Sequence, residues 1–177
     1  MGTIVGIGLV YQSQGRYPEA IAQYERALKI KEMAFGVDHI NTADTIDGIG
    51  ATYHSQGKYD QAIAQYERAL TIYEMAFGVD HINTANTINN LGLTYHSQGK
   101  YDEAIAQYER ALRIFERAFG VDHIKTADTI INIGFLYKNH GEAKLAQQQL
   151  LHGYRILKTN LGEFHPKTQK ALHILTS

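Results

Sequence analysis

Nine histidines in 177 residues are the side chains best suited to chemistry in this chain. An imidazole can ligate a metal or carry a proton near neutral pH. Spacing decides between those uses. His39, His81, His123 and His165 recur every 42 residues, and His54 and His96 are separated by the same step. A residue repeated at a long fixed period marks one place in successive structural units, not a converging cluster. Neighbouring helices pack about 8–10 Å apart, too far for two such rings to share one metal with bonds of about 2 Å. The chain has no cysteine, so it has no disulfide frame and no thiolate metal site. It also lacks a glycine-rich phosphate loop, a Gly-x-Ser-x-Gly and a His-Glu-x-x-His. The expectation is a non-enzymatic protein with no cofactor and no metal.

The period itself carries more information than the histidines. Gly15-Arg16-Tyr17, Gly57-Lys58-Tyr59 and Gly99-Lys100-Tyr101 stand 42 residues apart. A repeat of that size means stacked copies of one supersecondary unit. Within the unit from Ala85 to Thr126, Ile88, Leu91, Gly92 and Tyr95 mark one face of a first helix. Ser97-Gln98-Gly99 ends it, with Gly99 suited to the left-handed position past a helix end. Asp102 can cap a second helix, with Glu103 favourable in its first turn. Ala104, Ile105, Tyr108, Ala111, Leu112 and Phe115 carry that helix to Phe119, and Gly120 stops it. Val121-Asp122-His123 is a loop, after which Asp122 or Thr126 can cap the next first helix. The recurrent small residues Gly8, Gly50, Gly92 and Gly134 predict close helix approach against Ala20, Ala62, Ala104 and Ala146. Units of 1–42, 43–84, 85–126 and 127–168 follow. A capping helix over about 166–177 comes last, with Leu172 and Leu175 on its apolar face. Only two prolines interrupt the chain.

The recurrence of Ile, Ile/Leu, Gly, Tyr, then Ala, Tyr, Ala resembles the tetratricopeptide repeat over nearly the whole chain. Standard units have about 34 residues; these are longer, and the addition follows the second helix. The longer form is similar to the kinesin light chain type. Its Asp-His loop, Leu-Asn-Asn-Leu helix and Gln-Gly-Lys-Tyr turn match Asp80-His81, Ile88-Asn89-Asn90-Leu91 and Gln98-Gly99-Lys100-Tyr101. The resemblance implies an all-α, right-handed superhelical solenoid of antiparallel helix pairs. Its first helices line a concave groove that binds peptides or proteins.

By that resemblance the groove holds Asp44, Asp47, Asn86, Asn89, Asn90, Leu93, Asp128 and Asn132, with His54, His96 and Lys138 a turn or two further on. Units two and three agree at roughly three quarters of positions. They differ on this face at Asp44/Asn86, Asp47/Asn89, Gly48/Asn90 and Ala51/Leu93. A constant scaffold under a varied face is the pattern of a recognition surface. Asparagine donates and accepts, so Asn90 and Asn132 are suited to pair with the backbone of an extended peptide. The aspartates favour a neutral to basic ligand, and the Lys and Arg of a carboxylate clamp are absent from these helices.

Net charge is −1, which gives no electrostatic footprint for nucleic acid or anionic membrane. No leader and no long apolar run is evident, and the expected location is the cytoplasm. The first helix, Thr3 to Tyr11, starts without the Asp-His loop that precedes later units. Its exposed apolar end predicts either a longer array or a homodimer through Ile4, Ile7 and Val10. The alternatives to a binding scaffold are a self-associating assembly module and a sensor segment of a larger signalling protein.

Overall fold

The computed structural model describes residues 2–176, with side chains from Ile4 onward. Among them are nine α-helices and no strand: α1 (Gly2–Ser13), α2 (Tyr17–Phe35), α3 (Ile40–Ser55), α4 (Tyr59–Phe77), α5 (Ile82–Ser97), α6 (Tyr101–Phe119), α7 (Ile124–Asn139), α8 (Ala143–Leu161) and α9 (Pro166–Thr176). The second helices begin at Tyr17, Tyr59, Tyr101 and Ala143, each one period after the last. Each second helix packs against the first helix of its own unit and the first helix of the next. In addition α3 touches α5, and α5 touches α7. The first helices therefore form an inner layer with the second helices wedged outside it. Ser177, the last residue assigned to the capping helix from sequence, lies outside the described residues.

Two apolar clusters repeat per unit, one at each end of the helix pair. At the Gly-Lys-Tyr end, Ala62 and Tyr66 pack on Leu91 of the next unit, and Ala104 and Tyr108 pack on Ile133 and Leu136. At the loop end, Ala43, Ile46, Ala69, Ile72 and Tyr73 form one cluster, and Ala85, Ile88, Ala111, Ile114 and Phe115 form the next. No single core spans the chain; apolar area is buried unit on unit, as a solenoid requires.

The small-residue positions have a different partner from the one read in the sequence. A Cβ on Gly50 would lie 3.0 Å from the Tyr66 ring, and one on Gly92 would lie 2.8 Å from the Tyr108 ring. The glycines admit tyrosine rings, not the alanines Ala62 and Ala104. An aromatic ring buries far more area than a methyl group, which offsets the cost of glycine in a helix, about 1 kcal/mol.

The caps also differ. α6 starts at Tyr101 with Lys100 at the N-cap and no side-chain cap; Asp102 lies inside the first turn, where its charge opposes the helix dipole favourably. Neither Asp122 nor Thr126 caps α7. His123 does: its Nδ1 accepts from the Lys125 N–H at 3.1 Å. His39, His81 and His165 accept in the same way from Asn41, Asn83 and Lys167. Thr126 instead donates to the Gly120 carbonyl at 2.8 Å and ties the loop down. The second helices end as expected on glycines of positive φ, among them Gly78 at 92° and Gly120 at 93°.

The junction of the last unit with α9 has a different chemistry. Ile131 stands where unit two has Asp47 and unit three Asn89; Ala171 stands where earlier units have Thr87 and Thr129. Ile131 and Ala171 join Ile130, Leu150, Ile156 and Leu157 in one cluster, with Ile174 and Leu175 against it. Gly153 makes room, since a Cβ there would come within 2.5 Å of Ile131 Cγ1. On α9 the buried residues are Thr168 and Ala171, and Leu172, assigned to the apolar face from sequence, does not join the cluster.

Candidate interaction groove

The inner face is the surface of α3, α5 and α7 that the second helices leave uncovered. On α5 the buried positions are Thr84, Ala85, Thr87, Ile88, Leu91, Gly92 and Thr94. Asn86, Asn89, Asn90, Leu93 and His96 fall on the remaining face at helical spacing, each at least partly accessible. The predicted residues are therefore together, and most have a structural task.

Eight of them bond to another helix of the stack. Tyr73 donates its hydroxyl to Asp44 Oδ1 at 2.5 Å. Thr87 donates to Asp47 Oδ1 at 2.9 Å, and one unit on Thr129 donates to Asn89 Oδ1 at 3.3 Å. Lys125 Nζ reaches Asn86 Oδ1 at 3.0 Å, and Lys167 Nζ reaches Asp128 Oδ2 at 2.6 Å. His54 Nε2 meets Ser97 Oγ at 3.2 Å, and His96 Nε2 meets Asn139 Nδ2 at 2.9 Å. Lys138 donates to the Ile174 carbonyl of α9 at 2.8 Å. Polar groups on this face thus link unit to unit.

Burial shifts several of these groups. Asp47 is pushed up to about 6, chiefly by burial; the Thr87 hydrogen bond acts the other way and the Asp44 charge adds to the rise. Burial lowers both His54 and His96, which favours their neutral rings. Tyr73 is raised by burial and by the neighbouring Asp44.

Three predicted residues remain uncommitted. Asn90 and Asn132 make no side-chain hydrogen bond among the described residues, and Leu93 is 38% exposed. Leu93 belongs to a row the sequence reading missed. Leu9, Ala51, Leu93 and Phe135 occupy one place in successive units, and Leu9 and Phe135 are 56% and 40% exposed. The signal was present as a 42-residue step of apolar residues among polar neighbours. Asn90 precedes Leu93, and Asn132 precedes Phe135, by three residues, so amide and apolar side chain share a face. Phe135 also meets His96 edge to face at 5.4 Å. The arrangement offers apolar contact and paired donor and acceptor groups.

At the N-terminal end Ile7 and Val10 are 40% and 53% exposed, while Ile4 is half-buried. Ile7 and Val10 line a shallow depression with Gly6, Tyr11, Gln14 and Arg16. Among the described residues no cluster of three His, Asp or Glu could hold a metal, and no helix is long and apolar enough to cross a membrane.

The fold has solved counterparts. BtubC (BKLC) from P. vanneervenii superposes with a TM-score of 0.85 at 23% identity, over 97% of this chain and 68% of that one. A putative kinesin light chain from P. anserina with nearly identical TPR-like repeats gives 0.81 at 18% identity, over 98% and 82%. The apo form of RapI gives 0.81 at 20% identity, over 98% and 61%. No curated protein matches the sequence. The tetratricopeptide repeat model matches residues 1–75, 48–117 and 83–159. With the helix pairs, the period and these matches in agreement, the chain belongs to the tetratricopeptide repeat family.

Proposed function

We propose that this protein is a non-catalytic scaffold that binds a peptide or protein segment along its inner face. The observation that carries the reading is the row Leu9, Ala51, Leu93 and Phe135 beside the uncommitted amides of Asn90 and Asn132. The apolar row supplies contact area, and the asparagines pair with main-chain groups of an extended ligand. Asp44 and Asp47 bias the N-terminal half toward a neutral or basic ligand. Panning a peptide library tests this. Enriched peptides should lose about tenfold or more in affinity for the Asn90→Ala, Asn132→Ala double variant, which is 1.4 kcal/mol. Unchanged binding removes the groove assignment.

A second reading rests on the exposed Ile7 and Val10: self-association through α1. Light scattering over a wide concentration range distinguishes it. A dimer dissociated by Ile7→Asp with Val10→Asp supports it, and a monomer at every concentration rejects it.

A further inference from the structure

A second exposed apolar surface runs along the loop edge, where the second helices end. Met33 and Met75 are 73% and 72% exposed, and Val37, Val79 and Val121 are 54%, 56% and 55% exposed. Between them stand aromatic rings that are already fixed. Phe77 stacks between Tyr73 and His81, with centroids 6.5 and 4.3 Å away. Phe119 stacks between Phe115 and His123 at 6.3 and 4.2 Å, and Phe35 stacks on His39 at 5.1 Å. Tyr73 and Phe115 are core residues, so each of those stacks runs from the interior to the surface. A ring held in place before a partner arrives loses little entropy on binding. The unbranched methionines beside two of these rings can adapt to the partner's shape.

An aspartate lies in each loop between the stacked phenylalanine and histidine. The carboxylates of Asp38 and Asp122 make no hydrogen bond or ion pair among the described residues, and Asp80 pairs with Arg117 at 2.6 Å. The edge therefore joins apolar steps to unpaired negative charge at Asp38 and Asp122, while Asp80 is paired with Arg117. Arg117 at the third step bonds Asp80 at the second, so successive steps lie on the order of 10 Å apart. Two turns of α-helix rise about 10.5 Å over a heptad, which matches that step.

We propose that this edge docks a basic amphipathic helix from a protein partner. Apolar residues at heptad spacing would rest on the Phe and Val steps, and flanking Lys or Arg would meet the unpaired carboxylates of Asp38 and Asp122. The aspartates argue against the other occupants. Two copies placed edge to edge would oppose like charges, and an anionic lipid surface would be repelled.

The test uses fluorescence anisotropy with a labelled amidated helix of about three heptads, Leu at a and d and Lys at the flanking positions. A charge-reversed peptide with Glu in place of Lys is the comparison. The Lys peptide should bind with an affinity that falls with added salt, and the Glu peptide should bind at least about tenfold more weakly. Met75→Asp with Val79→Asp should weaken the Lys peptide by a similar factor; both sites are exposed, and an unchanged melting temperature would show that the fold persists. Asn90→Ala with Asn132→Ala should leave this binding unchanged, which separates the edge from the inner groove. Equal affinity for the two peptides, no loss in the edge variant, or no binding overturns the proposal. A dimer that the edge variant dissociates overturns it in favour of a second copy.

Discussion

At His81 the imidazole holds two neighbours at once: it accepts from the Asn83 N–H and stacks on Phe77. Removing an N-cap acceptor costs about 1 kcal/mol. His81→Ala should lower the urea midpoint accordingly, and His81→Asn should recover part of that loss by restoring the cap without the stack. The 42-residue spacing marked the histidines as one repeated place in the unit. It did not reveal the cap, because histidine is an uncommon residue for that task and Asp122 and Thr126 offered ordinary alternatives. Asp47 shows a different effect of position. Its pKa rises from 3.8 to about 6 on folding, so the native state binds more protons than the unfolded chain across that interval. Stability therefore falls as pH rises through it and stays lower above it. Asp47→Asn should stabilise the fold at pH 7.5 by on the order of 1 kcal/mol, the group being only partly buried, and the gain should vanish near pH 4. Asn89 already makes the corresponding bond from Thr129. Urea melts at the two pH values check the sign.

Among elements, the same substitution should have opposite effects in two helices. A Cβ on Gly6 of α1 would meet nothing within 4 Å, whereas one on Gly92 of α5 would lie 2.8 Å from the Tyr108 ring. Gly6→Ala should stabilise by about 0.5–1 kcal/mol through helix propensity. Gly92→Ala should destabilise by about 1–3 kcal/mol, because the overpacking outweighs that gain. Thermal melts of both variants measure the contrast. Helix positions and the period were legible because glycine turns and apolar spacing are local signals. Which side chain entered the space above Gly92 was not legible, since alanine and tyrosine both lay in reach by spacing alone. The end of the stack gives a further case. Ile131→Asn should cost about 2–4 kcal/mol by placing an amide in an apolar cluster, and Ala171→Thr should return part of it by rebuilding the bond that Thr129 makes to Asn89. A double-mutant cycle reads the coupling.

For the whole molecule, the architecture followed from the repeat, while the bonding on the inner face was only half readable. Asp44, Asp47, Asn86, Asn89 and Asp128 lie on the inner helices, but their hydrogen bonds cross between units, at separations of roughly one period, or reach the neighbouring helix in the case of Asp44. Such partners cannot be assigned from one helix's pattern. Asn90 and Asn132 stand apart because they have no such partner among the described residues, and that distinction appears only once the units are stacked.

Those crossing bonds have a consequence for how the chain opens. Each links a unit only to its neighbour, so the free energy of local opening depends on how many neighbours a unit has. The α1–α2 pair has one described neighbour, and the α7–α8 pair is closed by α9. Backbone amides of α1 should therefore exchange with deuterium first, those of α5 and α6 last, with protection rising along the chain between them. Leu9 would lie on the segment that opens most often, so a ligand reaching it should slow exchange there more than anywhere else in the stack.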